Sequence, residues 1–321
     1  MAVYTEVPAE TLASFLADYA VGEPVMAKGI AEGVSNSNYL VETAGDVGRQ
    51  RFILTLYERR VDAESLPYVL ALMEHLADAG LPVPRPVKDR AGDALRTLLG
   101  RPASLIAYLP GISVTSPTAG QCFAVGEALA RLHCAARGFP GRRANPLGVR
   151  QWRRTLEALA GDLDGISPGL GSLAHSAFDV ARQAFDRGLP AGTIHADLFP
   201  DNVLFLGDTV SGLIDFAFAA DDLLAYDLAV AHAAWCFCPD GSVLDPARAT
   251  ALLSGYSSIR PLGDDELAAL PHLCCAAALR FLLSRSEDWL AARTEAAGLV
   301  THKDPRAFER RLQHYLAAVR G

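Results

Sequence analysis

Three side chains that could take part in phosphoryl transfer lie close together in the sequence. Asn202 follows Asp197 after 5 positions, and Asp215 follows Asp197 after 18 positions. One carboxylate can accept or orient a hydroxyl proton, while an amide oxygen and a second carboxylate can hold magnesium on ATP. Taken singly, Asp and Asn are also common turn residues, because their side chains bond to nearby backbone. The joint spacing, with His195 two positions before Asp197, favours phosphoryl transfer.

The sequence around these residues predicts a strand, a catalytic loop and a β-hairpin. The strand-forming runs are 193–195, 203–206 and 210–214, with a tight turn at Gly207-Asp208. Such a hairpin would bring Asn202 and Asp215 to one end, beside Asp197. Two protein oxygens suit Mg²⁺, which usually completes its octahedral shell with substrate phosphates and water. His195 is interpreted as a structural brace of the loop, for which its neutral form suffices.

Composition bounds the class of protein. The chain has 321 residues, and 50% of them are hydrophobic, which is enough for a large core and two lobes. The net charge is −8, and no basic tract suggests a nucleic-acid or anionic-membrane partner. The first eight residues show no signal-peptide pattern, and the apolar stretches 223–238 and 267–283 contain charged residues or histidine. We therefore expect a cytoplasmic protein without a nucleic-acid or membrane partner.

The 6 cysteines show no disulfide or metal-binding spacing. There is no CxxC motif, and most of the cysteines fall within apolar helical patterns. We interpret them as buried free thiols in a reducing compartment. A zinc site formed by Cys236, Cys238 and a histidine is an alternative that lacks the usual ligand spacing.

Hydrophobic periodicity predicts an α+β, bilobal fold. The small lobe would have an antiparallel five-stranded sheet and a long helix, and the large lobe would be mostly helical. The small-lobe helices are predicted at 8–20 and 62–79, and its strands at 25–30, 37–42, 51–57, 96–99 and 103–109. The large-lobe helices are predicted at 117–137, 151–161, 169–188, 223–237, 246–257, 264–293 and 305–319.

The Pro110-Gly111 pair follows the last predicted strand of the small lobe and indicates a hinge. We therefore place a nucleotide-binding lobe at 1–107 and a catalytic and substrate lobe at 108–321. A cleft between two such lobes is where a nucleotide would bind.

The segment 33–38 lies between two predicted strands of the small lobe. Its small and polar residues would let backbone N–H groups approach phosphates. The candidate nucleotide contacts are Gly33, Ser35, Asn36 and Ser37. The segment matches neither GxGxxG nor a P-loop, so a plain hairpin turn remains the alternative.

The motif His195-x-Asp197-x4-Asn202, with Ile214-Asp215-Phe216 after it, resembles the aminoglycoside phosphotransferase and choline kinase superfamily, which has a protein-kinase-like fold. The resemblance covers nearly the whole chain. Further segments are similar to the homoserine kinase branch of that superfamily. These segments are GVSNSNY at 33–39, ILTLYE at 53–58, LPVPRP at 81–86 and HADLFPDNVLF at 195–205.

The resemblance implies ATP and Mg²⁺ as cofactors. It also implies a small-molecule substrate, L-homoserine, whose side-chain hydroxyl receives the phosphate on the route to threonine. By the same resemblance, Asp197 is the catalytic base or hydroxyl-orienting group, and Asn202 and Asp215 are the magnesium ligands. The backbone from Ala107 to Leu109 would meet the adenine edge. Oligomeric state and feedback by threonine stay open.

One position departs from the pattern of many kinases. Thr55 stands where a strand lysine is expected to hold the phosphates, and Leu70 stands near the expected position of its partner glutamate. The joint loss is chemically coherent, because an unpaired buried glutamate would be costly. The homoserine kinase branch also carries threonine there, so the departure does not imply an inactive kinase. The phosphate clamp is unassigned, with Arg51, Arg59 or Arg60 as candidates.

A zwitterionic substrate such as homoserine needs a cation for its carboxylate and an acceptor for its ammonium group. Arg280 and Arg285 are candidates for the carboxylate, since a bidentate guanidinium suits it and an uncompensated charge in this apolar helix would be costly. A structural pair with Asp227 is the alternative. Asp201 is a candidate for the ammonium group, with a turn role as its alternative. Asp227 is predicted to brace the catalytic loop or cap its helix.

Two other functions stay open. The first is another small-molecule kinase of the same superfamily, acting on an aminoglycoside, choline, methylthioribose or a sugar. A polycationic drug would call for an acidic substrate lobe without an arginine anchor. The second is a catalytically silent nucleotide-binding protein, against which the intact set of Asp197, Asn202 and Asp215 argues. His133, on an apolar helical face, is interpreted as a core histidine.

Overall fold

A computed structural model of the protein describes residues 5–30, 36–46, 48–58, 63–294 and 303–320. The chain divides into two compact units, Met1–Pro110 and Gly111–Gly321, so the division falls within the Pro-Gly pair. Four residues named in the sequence analysis lie outside the described ranges, namely Gly33, Ser35, Arg59 and Arg60.

The described residues of the first unit form a six-stranded antiparallel sheet and two α-helices. Its elements are α1 (Ala9–Ala17), β1 (Glu23–Ile30), β2 (Asn36–Gly45), β3 (Gly48–Tyr57), α2 (Leu66–Asp78), β4 (Pro86–Val87), β5 (Arg96–Leu98) and β6 (Arg101–Ala107). The strand order is β1-β2-β3-β6-β4, and β5 pairs with β6. The five predicted strands are all present. The prediction missed β4, which is two residues long and pairs only with β6, an edge position where proline is tolerated.

The core of the first unit lies between α1 and the sheet. Leu12 and Leu16 of α1 are buried in one cluster with Val41 of β2 and Leu54 of β3. The apolar positions of α1 recur at helical spacing, and those of β2 recur largely at every second residue, so each element buries one face. This packing fixes β3, the strand that carries Thr55.

The second unit is mostly helical. Its helices are α3 (Ala119–Ala135), α4 (Val149–Leu159), α5 (Leu170–Phe185), α6 (Leu224–Trp235), α7 (Pro246–Ile259), α8 (Asp264–Thr294) and α9 (Arg306–Arg320). Its strands are β7 (Ala191–Ile194), β8 (Val203–Leu206), β9 (Thr209–Leu213) and β10 (Ala220–Leu223). All seven predicted helices and the hairpin of β8 and β9 are confirmed. The prediction missed β10, which pairs with β7 although its sequence, Ala-Asp-Asp-Leu, has little β-propensity.

Helix α8 forms the core of the second unit, where it contacts α5, α6 and α9. Residues 264–292 are long and apolar enough to cross a membrane, but 67% of the most apolar window is buried inside the protein. Leu273, Leu279 and Leu282 of α8 are fully buried in the main cluster. This helix is therefore accounted for as the core helix of a globular unit.

Two glycines let α3 and α7 approach until their backbones touch. A Cβ atom at Gly126 of α3 would lie 2.2 Å from the Leu252 carbonyl oxygen, and one at Gly255 of α7 would lie 2.0 Å from the Phe123 carbonyl oxygen. No side chain larger than hydrogen fits at either position without movement of the helices. The contact between the two helices therefore depends on glycine at both places.

All six cysteines are free, as predicted. Four of them are buried, whereas Cys134 and Cys238 are partly exposed. Within the described ranges, no group of three or more His, Cys, Asp or Glu side chains could hold a metal ion. The zinc alternative at Cys236 and Cys238 thus receives no support.

Candidate active site

The predicted catalytic loop begins where β7 ends. Ala196 has a φ of 65°, in the left-handed region that residues other than Gly, Asn and Asp rarely adopt. Such a residue costs about 1–2 kcal/mol and persists only where its surroundings hold it. Here the buried carboxylate of Asp227 accepts hydrogen bonds from the His195 amide at 2.7 Å and from the Ala196 amide at 2.8 Å.

Asp227 is held in its ionised form. Burial alone would raise its pKa, but the hydrogen bonds from His133 and from the His195 amide outweigh burial and hold the pKa of Asp227 below its usual value. His133, interpreted from the sequence as a core histidine, is indeed buried, and its Nε2 lies 3.0 Å from Asp227 Oδ2. The sequence offered no sign of this contact, because 94 residues separate the partners.

The ring of His195 joins the loop to the end of the hairpin. Its Nε2 lies 3.0 Å from the Ile214 carbonyl oxygen, and the Asp197 amide donates to its Nδ1 at 3.3 Å. Burial lowers the pKa of His195, so its neutral form dominates. In that form Nε2–H donates and Nδ1 accepts, which uses both ring nitrogens within the loop.

Asp197 is largely buried and lies beside the guanidinium of Arg280. Asn202 Nδ2 donates to the Asp197 carbonyl oxygen at 2.8 Å and to its Oδ2 at 3.2 Å. Arg280 Nη1 lies 3.4 Å from Asp197 Oδ1. Burial raises the pKa of Asp197 to about 7, and the Arg280 charge opposes that rise. A carboxylate with this pKa is well matched to proton transfer near neutral pH.

Asn202 and Asp215 lie at the open end of the hairpin, as their positions in the sequence predict. The Ile214 amide donates to the Asn202 carbonyl oxygen at 3.0 Å, which ties the two chain ends together. Since Asn202 Nδ2 is bonded to Asp197, its Oδ1 is directed elsewhere. Asp215 has a φ of 63° and an exposed side chain, whose Oδ1 lies 3.4 Å from the Ala217 amide. These two hard oxygen donors fit Mg²⁺ that shares its shell with phosphates.

The two arginines proposed for substrate binding differ in their surroundings. Arg280 is 6% exposed, and its guanidinium lies over the rings of Phe281 and Phe218. Its described carboxylate partner is Asp197, not Asp227. Arg285 lies over the Phe308 ring, 4.5 Å from its centroid, and no carboxylate of the described residues forms an ion pair with it. Burial, reinforced by the nearby charge of Arg311, lowers the pKa of Arg285 to about 10.

Asp201, the candidate for the substrate ammonium, is largely exposed. Its Oδ2 lies 2.9 Å from Lys303 Nζ, and both side chains are about 60% exposed. The carboxylate thus already pairs with one ammonium group. An exposed pair of this kind contributes little to stability, typically about 0–1 kcal/mol.

The nucleotide-contact candidates of the first unit lie on β2 and after β6. Asn36 and Ser37 begin β2. Ser37 is fully buried and its hydroxyl donates to Glu58 at 2.7 Å, while Asn36 Oδ1 accepts from the Glu58 amide at 3.4 Å. The Ala107 amide donates to the Arg85 carbonyl oxygen. Among the backbone bonds described for this unit, none involves Leu109.

Two uncharged residues, Thr55 and Leu70, occupy the positions where many kinases have a lysine and its partner glutamate. The Thr55 hydroxyl donates to Asn38 Oδ1 at 2.9 Å, and Leu70 is buried in α2. Glu74, on the same helix, instead forms an ion pair with Lys88 at 2.6 Å. Arg51, a candidate phosphate ligand, lies 3.2 Å from Glu42. Glu42 and Glu74 are therefore both paired with a cation, and neither is an uncompensated buried charge.

The fold and site define a class of protein. Residues 27–262 match the model of the phosphotransferase enzyme family, APH, and the chain belongs to that family. It is a kinase that uses an alcohol group as acceptor. The amicoumacin kinase hAmiN, solved with AMP-PNP, Ca²⁺ and Ami, shares the protein-kinase-like fold, with a TM-score of 0.69 at 16% identity over 97% of this chain and 94% of that one.

Two curated relatives are more similar in sequence. The homoserine kinase of Rhodopseudomonas palustris (strain BisB18) is 52% identical over 98% of this chain and 94% of its own length. The homoserine kinase of Methylobacterium radiotolerans is 50% identical over 99% of this chain and 97% of its own length.

Proposed function

We propose that this protein is a homoserine kinase, which transfers the γ-phosphoryl group of ATP to the side-chain hydroxyl of L-homoserine. The products are O-phosphohomoserine and ADP, on the route to threonine. The observation that carries the proposal is the identity of 52% over 98% of the chain with a homoserine kinase. The arrangement of Asp197, Asn202 and Asp215 supports it independently, because phosphoryl transfer needs those groups at one place.

Asp197 is proposed as the group that accepts or orients the hydroxyl proton. As the homoserine oxygen bonds to the γ-phosphorus, the bond from phosphorus to the β,γ-bridging oxygen breaks and the hydroxyl proton passes to the Asp197 carboxylate. The bond from Asn202 to Asp197 Oδ2 fixes the rotamer of the carboxylate and leaves Oδ1 to Arg280 and the substrate. Positioning of this kind supplies much of the catalysis in phosphoryl transfer.

Asn202 Oδ1 and the Asp215 carboxylate are proposed as the protein ligands of Mg²⁺. A bound Mg²⁺ would neutralise charge on the phosphates of ATP. The hydrogen bond from the Ile214 amide to the Asn202 carbonyl oxygen keeps the two proposed metal ligands at one end of the hairpin. Asp215 has a left-handed backbone, a conformation that Asp tolerates better than most residues.

The first unit is proposed as the nucleotide-binding lobe, with its contacts at Gly33, Ser35, Asn36, Ser37, Ala107 and Leu109. Leu109 is the stronger adenine candidate, since the Ala107 amide already donates to Arg85. Ser37 is fully buried, so Asn36 is the more accessible of the two residues that begin β2. Thr55 carries no charge, so Mg²⁺ and backbone amides are proposed to meet the phosphate charges, with Arg59 and Arg60 as further candidates.

Arg285 is proposed as the anchor of the homoserine carboxylate. Arg280 is engaged with Asp197, whereas Arg285 is a half-buried cation whose pKa is lowered to about 10 by burial. An anion beside it would relieve that burial cost, and a guanidinium binds a carboxylate with two parallel hydrogen bonds. Asp201 remains the candidate for the substrate ammonium group, which would have to displace the ammonium group of Lys303.

We also propose a cytoplasmic location, which the six free thiols support.

An ADP-release assay with Mg·ATP tests the proposed acceptor. The panel is L-homoserine, L-serine, choline, methylthioribose and kanamycin. We expect kcat/KM for L-homoserine to exceed that for each other acceptor by at least about tenfold, because one missing methylene alone is worth about that much. A preference for choline or kanamycin would replace the acceptor but leave the kinase. Absence of ADP release with every acceptor would support a catalytically silent protein instead.

A further inference from the structure

A buried chain of hydrogen bonds runs from Asp227 away from the catalytic loop. Asp227 Oδ2 lies 3.0 Å from His133 Nε2, and His133 Nδ1 lies 2.7 Å from the Tyr256 hydroxyl. Arg260 Nη1 donates to that hydroxyl at 3.3 Å, and Arg260 Nη2 donates to Glu266 at 2.9 Å. All five residues are less than 9% exposed. We call these residues the support chain.

The donors and acceptors of the support chain give it one direction. Arg260 can only donate, and the ionised carboxylate of Asp227 can only accept. Of the two neutral tautomers of His133, the one with its proton on Nε2 lets the Tyr256 hydroxyl accept from Arg260 and donate its own proton to His133 Nδ1. His133 in turn carries its proton on Nε2 and donates it to Asp227. In this arrangement every hydrogen has an acceptor, whereas the other neutral tautomer of His133 would present a lone pair to a buried carboxylate.

The end of the support chain that lies furthest from Asp227 is held by the helices α7 and α8. Arg260 directly follows α7, and Glu266, in the first turn of α8, also accepts from the Gly263 amide at 3.1 Å. Tyr256 follows Gly255, whose lack of a side chain allows α7 to touch α3 near Phe123. His133 lies on that same helix α3. Backbone contact between the two helices thus sets the distance from the Tyr256 hydroxyl to the His133 ring.

We propose that Tyr256 and Arg260 are positioning residues for catalysis: they fix the tautomer of His133 and, through it, the carboxylate that holds the catalytic loop. Neither residue belongs to the set that touches substrate. Without the Tyr256 hydroxyl, the ring of His133 can adopt other tautomers or orientations. Asp227 then loses a fixed donor, and the strained peptide at Ala196 loses part of its restraint. The effect on turnover rests on the proposed role of Asp197, whereas the effect on the His133 tautomer does not.

The test compares two substitutions that each remove one buried hydroxyl from one histidine. Tyr256→Phe removes the hydroxyl bonded to His133. Tyr315→Phe is the matched control, because the Tyr315 hydroxyl lies 2.6 Å from Nδ1 of His232 in the same unit. Burial lowers the pKa of His232 to about 4, so the neutral form of that ring dominates. The control breaks the same kind of bond outside the support chain.

Two measurements are made on the full-length protein. In the first, ¹⁵N-labelled histidine is followed by long-range ¹H–¹⁵N NMR, and the His133 signals are identified by their loss in His133→Gln. We expect the wild type to carry the proton on Nε2, and Tyr256→Phe to move the Nδ1 signal of His133 while Tyr315→Phe leaves it unchanged. A wild-type proton on Nδ1, or an unmoved signal in Tyr256→Phe, would overturn the proposal.

In the second measurement, steady-state kinetics are recorded with Mg·ATP and whichever acceptor the panel selects. We expect Tyr256→Phe to lower kcat by about tenfold or more, the usual scale for loss of an outer-shell partner, with both KM values within about twofold of wild type. Tyr315→Phe should keep kcat within about twofold of wild type on the same scale. An unchanged kcat in Tyr256→Phe, or an equal fall in both variants, would contradict a positioning role.

Discussion

The guanidinium of Arg280 lies 3.4 Å from the carboxylate of Asp197. Both residues belong to the second unit, and Arg280 is only 6% exposed. Burial and this pair act in opposite directions on the proton affinity of the proposed base. Burial raises the pKa of Asp197 to about 7, and Arg280 keeps the pKa from rising further. Arg280 therefore lies beside the proposed base, and Arg285 is the proposed anchor of the substrate carboxylate.

The first prediction concerns the dependence of activity on pH. Since an ionised Asp197 is needed, kcat/KM for ATP should rise with pH, reach half of its plateau near the Asp197 pKa of about 7 and level off about one pH unit above it. Arg280→Gln removes the cation that favours ionisation, so the rise should shift to higher pH. Arg182→Gln, a change at an exposed arginine on α5, is the control and should leave the profile unchanged. An identical profile in Arg280→Gln would show that the pair does not set the pKa.

The second prediction separates the chemistry of Asp197 from its effect on stability. Asp197→Asn should lower turnover by at least about 10²-fold, the scale of general-base catalysis. The folded pKa of Asp197 lies above its unfolded value, so the folded state binds more protons between them, and wild-type stability falls as pH rises through this window. Asparagine does not titrate, so the Tm of the variant relative to wild type should increase from about pH 5 to about pH 8.

Asp208→Asn, in the exposed hairpin turn, is the matched control for that experiment. It should alter neither turnover nor the pH dependence of Tm. Near wild-type turnover in Asp197→Asn would remove Asp197 from the catalytic role, whatever its Tm.

The third prediction concerns the proposed magnesium ligands. Asp215→Asn keeps the shape of the residue and a side chain that tolerates the left-handed backbone, but removes one negative charge. We expect a higher free Mg²⁺ concentration for half-maximal ADP release and a lower maximal rate, with Tm unchanged because the side chain is exposed. The measurement is a Mg²⁺ titration at fixed ATP. A titration curve that overlays the wild type would contradict the assignment.

These residues also show what the sequence could predict. Asp197, Asn202 and Asp215 lie within one loop and hairpin, so local turn and strand patterns were sufficient to predict that they lie close together. The support chain could not be found this way, because His133 and Asp227 are 94 positions apart, and His133 and Tyr256 are 123 apart. A buried histidine on an apolar helix looks the same in sequence whether its partner is a core hydroxyl or a loop-bracing carboxylate.

Arg280 illustrates the same limit. Its apolar neighbours correctly implied that the charge needs compensation. The helical pattern could not indicate which carboxylate supplies it, and Asp197 lies 83 positions away. The strands β4 and β10 were missed for a different reason. They are short, and pairing with β6 and β7 overrides weak β-propensity.

The fourth prediction tests the close approach of α3 and α7. Gly255→Ala would place a Cβ atom 2.0 Å from the Phe123 carbonyl oxygen, so the helices must separate. We expect a loss of stability of about 1–3 kcal/mol, the usual cost of overpacking. Separation would also stretch the bond between His133 and Tyr256, so kcat should fall with it. Both are measured by denaturant unfolding and steady-state kinetics.

Gly120→Ala is the control for that change, since it also adds a methyl group to a helix glycine of the same pair of helices. A Cβ atom there meets only the Thr118 hydroxyl, at 3.7 Å. Alanine should therefore be neutral or stabilise by up to about 1 kcal/mol. Equal stability of the Gly255 and Gly120 variants would contradict the close helix contact.

The fifth prediction concerns the proposed carboxylate anchor. Arg285→Gln should raise KM for L-homoserine by about 10–100-fold, since hydrogen bonds to charged groups contribute about 1.5–3 kcal/mol. KM for ATP should stay the same, because the arginine is assigned to the acceptor alone. Decarboxylated homoserine, 3-aminopropanol, should react equally poorly with the wild type and the variant. Equal loss for both acceptors would instead indicate a general disturbance of α8.

The most direct test of the central claim is ³¹P NMR of the reaction of wild-type protein with Mg·ATP and L-homoserine, beside the same reaction with Asp197→Asn. We predict that the γ-phosphate signal of ATP is replaced by that of a phosphomonoester coupled to the side-chain methylene of homoserine. In Asp197→Asn this signal should grow at least about 10²-fold more slowly. Inorganic phosphate as the only product, or an ester that forms at the same rate in both proteins, would contradict the account.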